Sequence, residues 1–104
     1  MKIAIASEGK KLNSKVSLRG GRAPYYLIFE DKNLIETIKN PFAKGSGGAG
    51  FSVAHMLAEK KAELVIAGKV GRNMESALKD NGIKFKEENE KEIHEVIWFL
   101  INSF

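Results

Sequence analysis

Two short apolar runs limit what this chain can fold into. Ile3-Ala4-Ile5-Ala6 and Leu64-Val65-Ile66-Ala67 contain no polar residue and are too short to be helices of ordinary length. Such runs suit strands buried on both faces, and those need helices above and below the sheet. The alanines of the first run would let a helix pack closely over it. The segments Lys2–Ser7 and Glu63–Ala67 therefore read as central, buried strands.

The rest of the chain supplies the layers. Pro24–Glu30 (PYYLIFE) is rich in aromatic and branched residues and reads as a strand. Asp31-Lys32-Asn33 is a hairpin turn, with Asn33 tolerant of the left-handed backbone. Leu34–Lys39 returns as its partner, and Glu36 and Lys39 suit an exposed edge. The glycine-rich stretch Lys44–Gly50 (KGSGGAG) precedes a helix over Phe51–Lys61, whose Val53, Ala54, Leu57 and Ala58 form one stripe. Gly68–Gly71 forms a turn. A second helix, Arg72–Asn81, turns Met74, Ala77 and Leu78 inward and ends at Asn81-Gly82. Ile83–Lys86 is a last short strand. A final helix spans Glu90–Asn102, with Asn89 as its cap and Glu92 as the partner of a capping box.

The order β-β-β-α-β-α-β-α contains one hairpin followed by two helical crossovers. Right-handed crossovers running the same way give a mixed five-stranded sheet of order 3-2-1-4-5 with strand 2 antiparallel. This is an α/β/α three-layer architecture whose element order matches that of ribonuclease H. The final helix must cover one sheet face nearly alone. Ile93, Val96, Ile97, Leu100 and Ile101 give it a broad apolar stripe. Trp98 and Phe99 fall partly outside that stripe, at a sheet edge or a subunit contact, so a monomer or weak dimer is expected.

With 104 residues, the chain should be a single domain over 1–104. It has no cysteine, which excludes disulfides and thiolate metal sites. The opening apolar run is too short for a signal-peptide core, and no segment approaches a membrane span. A cytoplasmic protein with no membrane role is expected.

The net charge of +4 gains meaning from where the cations fall. In the 3-2-1-4-5 layout nine of the ten glycines lie at the carboxyl-end edge of the parallel strands, and only Gly82 lies opposite. Lys10, Lys11, Lys15, Arg19, Arg22, Lys44, Lys69 and Arg72 share that edge, partly offset by Glu8, Glu87 and Glu88. Open α/β sheets place ligands there. Two helices also begin there, after Gly50 and Gly71, with free N–H groups. This edge suits an anionic ligand; a set of tight turns with a solvated basic rim would have the same composition.

Several chemistries find no support. No glycine is followed by Lys and then Ser or Thr, as a phosphate-binding P-loop requires. Gly45, Gly47 and Gly50 spell a dinucleotide fingerprint, but they follow an antiparallel edge strand. The first strand has no carboxylate for two-metal nuclease chemistry. The basic rim lacks aromatics interleaved for stacking on bases, so nucleic acid is not expected. His55 and His94 sit on different helices with no ligand partner in view. Ser7 and Ser17 have no histidine to activate them. One of Tyr25 and Tyr26 should pack in the core and the other line the edge.

The segments MKIAIASEGKKLNSKVS, GRAPYYLIFE, NPFAKGSGGAG, AELVIAGKVG and NGIKFKE occur in that order over nearly the whole chain. Together they resemble the dinitrogenase iron-molybdenum cofactor biosynthesis family. The resemblance implies a ribonuclease H-like fold and a non-enzymatic module that binds or carries an anionic iron-sulfur or iron-molybdenum-type cofactor or its precursor. It also implies a protein partner in metal-cluster assembly. Members often carry His-Phe-Gly-Arg in the first loop, where this chain has Arg19-Gly20-Gly21-Arg22. A guanidinium cannot ligate a metal, so any cluster would be held by charge and hydrogen bonds. The expected site has Ser7, Glu8 and Gly9 as one wall and Arg19, Gly20, Gly21 and Arg22 as a mobile lid. Gly47, Gly48 and Gly50 would present helix-end amides, facing Gly68, Lys69 and Gly71. No residue is assigned to catalysis or to direct metal ligation. The alternative is a protein-interaction or regulatory domain that uses the same edge without a metal cofactor.

Overall fold

The computed structural model describes residues 1–45 and 47–102, so Ser46 of the glycine stretch lies outside it. Its strands are β1 (Lys2–Ser7), β2 (Tyr25–Glu30), β3 (Asn33–Lys39), β4 (Leu64–Ala67) and β5 (Lys84–Glu87). Its helices are α1 (Ala49–Glu59), α2 (Arg72–Asp80) and α3 (Ile93–Ile101). The sheet order is β3-β2-β1-β4-β5. β1 runs antiparallel to β2 and parallel to β4. β2 and β3 form the antiparallel hairpin, and β5 is parallel to β4. The mixed α/β sheet and ribonuclease H-like order follow the sequence reading.

Alternation along the strands sends side chains to two cores. Ala4, Ala6, Tyr26, Ile28, Val65 and Ala67 face α1 and α2, where Val53, Leu57, Met74 and Leu78 meet them. Ile3, Ile5, Leu27, Phe29 and Ile66 face α3, which contributes Ile93, Val96, Ile97 and Leu100. One helix of nine residues, with Val16 beside it, thus covers the β1, β2 and β4 part of the second face. Trp98 and Phe99 stay outside the core, 66% and 50% exposed. Lys86 and Lys91 hold their ammonium groups over the Phe99 ring, 5.4 and 5.3 Å from its centre.

Three local expectations change. The hairpin loop is Asp31-Lys32, with Asp31 rather than Asn33 left-handed at φ 54° and Asn33 already paired to Glu30. α1 begins at Ala49, capped by the left-handed Gly48, so Gly50 lies inside the helix. α3 begins at Ile93, because Glu92 itself is the N-cap and closes a capping box with Glu95. Asn89 does not cap it. The chain before Glu92 is held extended, with the Val16 N–H donating to the Lys91 carbonyl and a bridge between Lys15 and Glu92. Among the described residues, no helix is long and apolar enough to cross a membrane.

Candidate functional site

The segment after β1 decides the shape of the carboxyl-end edge. It doubles back across the ends of β1 and β4 as an extended piece. The Ser17 N–H donates to the Ala6 carbonyl at 2.8 Å, and the Gly68 N–H to the Ser17 carbonyl at 2.8 Å. The Gly20 N–H donates to the Lys69 carbonyl at 2.9 Å. From below, the buried Tyr26 hydroxyl donates to the Gly20 carbonyl at 2.6 Å. Asn40, only 4% exposed, donates through Nδ2 to the carbonyls of Gly21 at 3.2 Å and Ala23 at 2.9 Å. Arg22 donates from Nη1 to the Phe42 carbonyl at 3.2 Å. The segment 19–22, expected as a lid, is therefore tied by hydrogen bonds at Gly20, Gly21 and Arg22 and stands as one wall of the edge.

Tyr26 links this wall to the core. Burial pushes its phenol well above the ordinary tyrosine range, so it remains the neutral donor Gly20 needs. Tyr26→Phe leaves the Gly20 carbonyl without that donor and should cost about 1–2 kcal/mol in chemical denaturation. The pH dependence has a definite sign. Above pH 10 the unfolded tyrosine loses its proton before the folded one does, so the wild type should lose stability as pH rises further. Tyr26→Phe should remove that part of the slope.

Opposite the wall, α1 and α2 start side by side. A Cβ on Gly50 would lie 3.0–3.3 Å from the Cβ, N and Cα of Met74, and one on Gly21 would lie 3.2 Å from the Gly50 nitrogen. Only glycines allow the loop and both helices to approach this closely. Gly71 is the N-cap of α2, extended and exposed, with nothing within 4 Å of its Cβ direction. Among the described residues no side chain caps the first turn of α2, which leaves its N–H groups without a side-chain acceptor.

Between these parts lies an open cleft of about 560 Å³. Of the expected site residues, Arg19, Gly20, Gly21, Arg22, Gly50, Lys69 and Gly71 line it. Arg72 adds a fourth cation, and among the described residues no carboxylate lines the cleft. Among the described residues, Arg19, Arg22, Lys69 and Arg72 have no ion-pair partner, whereas Lys60, Lys79, Lys86 and Lys91 are paired elsewhere. Two of the three glutamates expected to offset the edge are otherwise engaged. Glu87 accepts the Val70 N–H at 2.8 Å, and Glu88 pairs with Lys86 and Lys91.

The other expected residues do not reach the cleft. The buried Ser7 hydroxyl donates to the Gly9 carbonyl at 2.6 Å and accepts the Gly9 N–H, and so folds its own turn. Glu8 is exposed beside that turn, with its N–H on the Lys15 carbonyl. Gly47 and Gly48 are exposed, left-handed residues before α1. Gly68 is buried, and a Cβ there would meet Leu18 and Asn89 within 3 Å. The sequence reading missed Leu18, Ala49, Asn73 and Met74 as lining residues. Only Met74 carried a signal, as the inward residue in the first turn after Gly71.

A sequence model of the dinitrogenase iron-molybdenum cofactor family matches residues 1–102. The chain belongs to this family. No curated protein matches it. Two related structures share its architecture. The apo form of the orange protein from Desulfovibrio gigas is 28% identical, covers 98% of this chain and 88% of its own, and superposes with a TM-score of 0.90. A NifB-like protein from Thermotoga is 34% identical, covers 97% of this chain and 87% of its own, with a TM-score of 0.82. The structure of PH0822, 22% identical with a TM-score of 0.81, repeats the fold alone.

In this family member the histidines stand apart from the cleft. His55 is exposed on α1. His94 does have a partner, contrary to the sequence reading: its Nε2 lies 2.7 Å from Glu92 Oε1. Glu92, His94 and Glu95 bring donor atoms within 4.8 Å of one another at the start of α3. The capping box already uses both carboxylates, which accept the N–H groups of Glu95 and Glu92.

Proposed function

We propose that this protein is a non-enzymatic, single-domain carrier that holds an anionic metal-sulfur cofactor, or a precursor of one, in the cleft between Arg19–Arg22 and the start of α2. Family membership supports a cofactor-related role. The observation that carries the reading is the set of four cations around the cleft with no carboxylate among them. Unneutralised cations beside an open helix N-terminus favour a polyanion.

The donor set decides how such a cargo is held. The lining residues include no cysteine, histidine or carboxylate, and the one soft donor is the buried thioether of Met74. The site fits an anion gripped by guanidinium, ammonium and amide N–H groups, and does not fit a cluster bonded through the protein. Such a grip is reversible, as handing cargo to an assembly partner requires. A cytoplasmic location without nucleic-acid or membrane contact accords with this role.

The test is anaerobic purification followed by incubation with an iron-sulfur cofactor source. Visible absorbance and near-stoichiometric iron retained after gel filtration are expected. Folded protein that takes up no iron would refute the carrier role. Gly71→Asp sharpens the test, because its carboxylate would cap α2 and compete for the same amides. Stability should stay within about 0.5 kcal/mol of wild type. Affinity for the anion should fall about tenfold, since the introduced charge both repels it and occupies its donors. Equal affinity would place the anion elsewhere.

A further inference from the structure

The cation-lined surface does not end at Arg22. That side chain also forms one side of a second cleft, of about 570 Å³, whose lining includes Tyr25, Lys39 and Lys44 and no carboxylate. Lys39 pairs with Tyr25 in the β2–β3 register, so it sits at the carboxyl-end edge next to the first cleft. Lys10 approaches from the β1 side, its Nζ 5.7 Å from the Tyr25 ring centre. Among the described residues, Lys10, Lys39 and Lys44 have no ion pair. Asn40, in the floor, has its amide committed to the backbone at Gly21, Ala23 and Phe42. Arg22 gives one N–H to Phe42 and keeps the rest of its five donors.

We propose, resting on the anion-binding reading of the first cleft, that the two clefts form one bipartite site for an elongated polyanion. One anionic group sits against Arg19, Lys69, Arg72 and the start of α2. A second sits against Lys39 and Lys44. Arg22 contacts both. A compact anion would use the first cleft alone, so the second cleft selects for length.

Inorganic phosphate, pyrophosphate and tripolyphosphate, titrated calorimetrically at one fixed ionic strength, test this on the full chain. Wild-type affinity should rise with chain length. The double variant Lys39→Ala/Lys44→Ala should weaken tripolyphosphate about fivefold while changing phosphate less than about twofold, the size expected for two exposed charge contacts. The control Lys32→Ala/Lys84→Ala removes the same charge at the opposite edge and should change neither. If the cleft variant weakens phosphate and tripolyphosphate equally, or weakens tripolyphosphate no more than the control does, the bipartite site is wrong and the first cleft stands. If wild type binds none of the three, both readings fall.

Discussion

Phe29→Ala should lower stability by about 3–5 kcal/mol in urea denaturation, the largest loss expected from any single truncation in this chain. Phe29 is among the largest fully buried side chains, 1% exposed, and faces α3 beside Ile3, Ile5, Leu27 and Ile66. On the other face two helices share the sheet, and neighbours could relax into a void. Here α3 is the only helix among the described residues, and it is held at its start. The Ile93 N–H donates to the Ser14 carbonyl at 2.9 Å and the His94 N–H to the Leu12 carbonyl at 2.9 Å. It cannot slide far to fill the cavity, so the cost should sit at the upper end of the range. Against a typical total stability of about 5–15 kcal/mol, such a loss would leave much of the protein unfolded. A loss below about 2 kcal/mol would show that α3 can reseat, contrary to its anchoring.

Gly68→Ala should cost about 3 kcal/mol, although it adds only one methyl group. The added Cβ would lie 2.7 Å from the Leu18 Cα, 2.9 Å from the Leu18 carbonyl oxygen and 2.6 Å from Asn89 Oδ1. Two of these atoms are backbone and cannot rotate away. The segment 17–20 would have to lift from β4 and strain the Ser17–Gly68 and Gly20–Lys69 hydrogen bonds. Arg19 rides on that segment and Arg22 follows two residues after it, so anion affinity should fall together with stability. Thermal denaturation and calorimetry of one preparation would check both. A stable variant with wild-type affinity would show that the edge is more pliant than its hydrogen bonds imply.

Gly68 also shows why the fold was more legible than the site. β1, β2 and β4 announce themselves because strands buried on both sides have few alternatives for runs such as IAIA and LVIA. The sheet order then follows from one hairpin and the handedness of two crossovers. Helix starts were less legible. Asn89 has a good capping side chain, but Glu92 was already placed to close a box with Glu95, and the tertiary anchoring of residues 91–94 favoured the later start.

The glycines misled in an instructive way. They correctly marked the edge where backbone comes close, but not what it comes close to. Gly21, Gly50 and Gly68 are small because protein packs against them: the loop on α1, α1 on α2, and β4 under Leu18. Gly71 faces open space, where a ligand's approach is unobstructed. The cations were the better guide, because Arg19, Arg22, Lys69 and Arg72 converge on the cleft however the glycines are used. Asn73 and Leu18 carried no signal, since only the path of the chain brings them to the rim.

The single helix over the second sheet face also sets an order of events at the ribosome. The α1–α2 side can close once the strands and residues 49–80 have emerged. Ile5, Leu27, Phe29 and Ile66 remain open to water until residues 93–101 follow. A nascent chain stalled before that point would present a half-finished greasy surface, the kind of intermediate that chaperones hold and that aggregates when left alone.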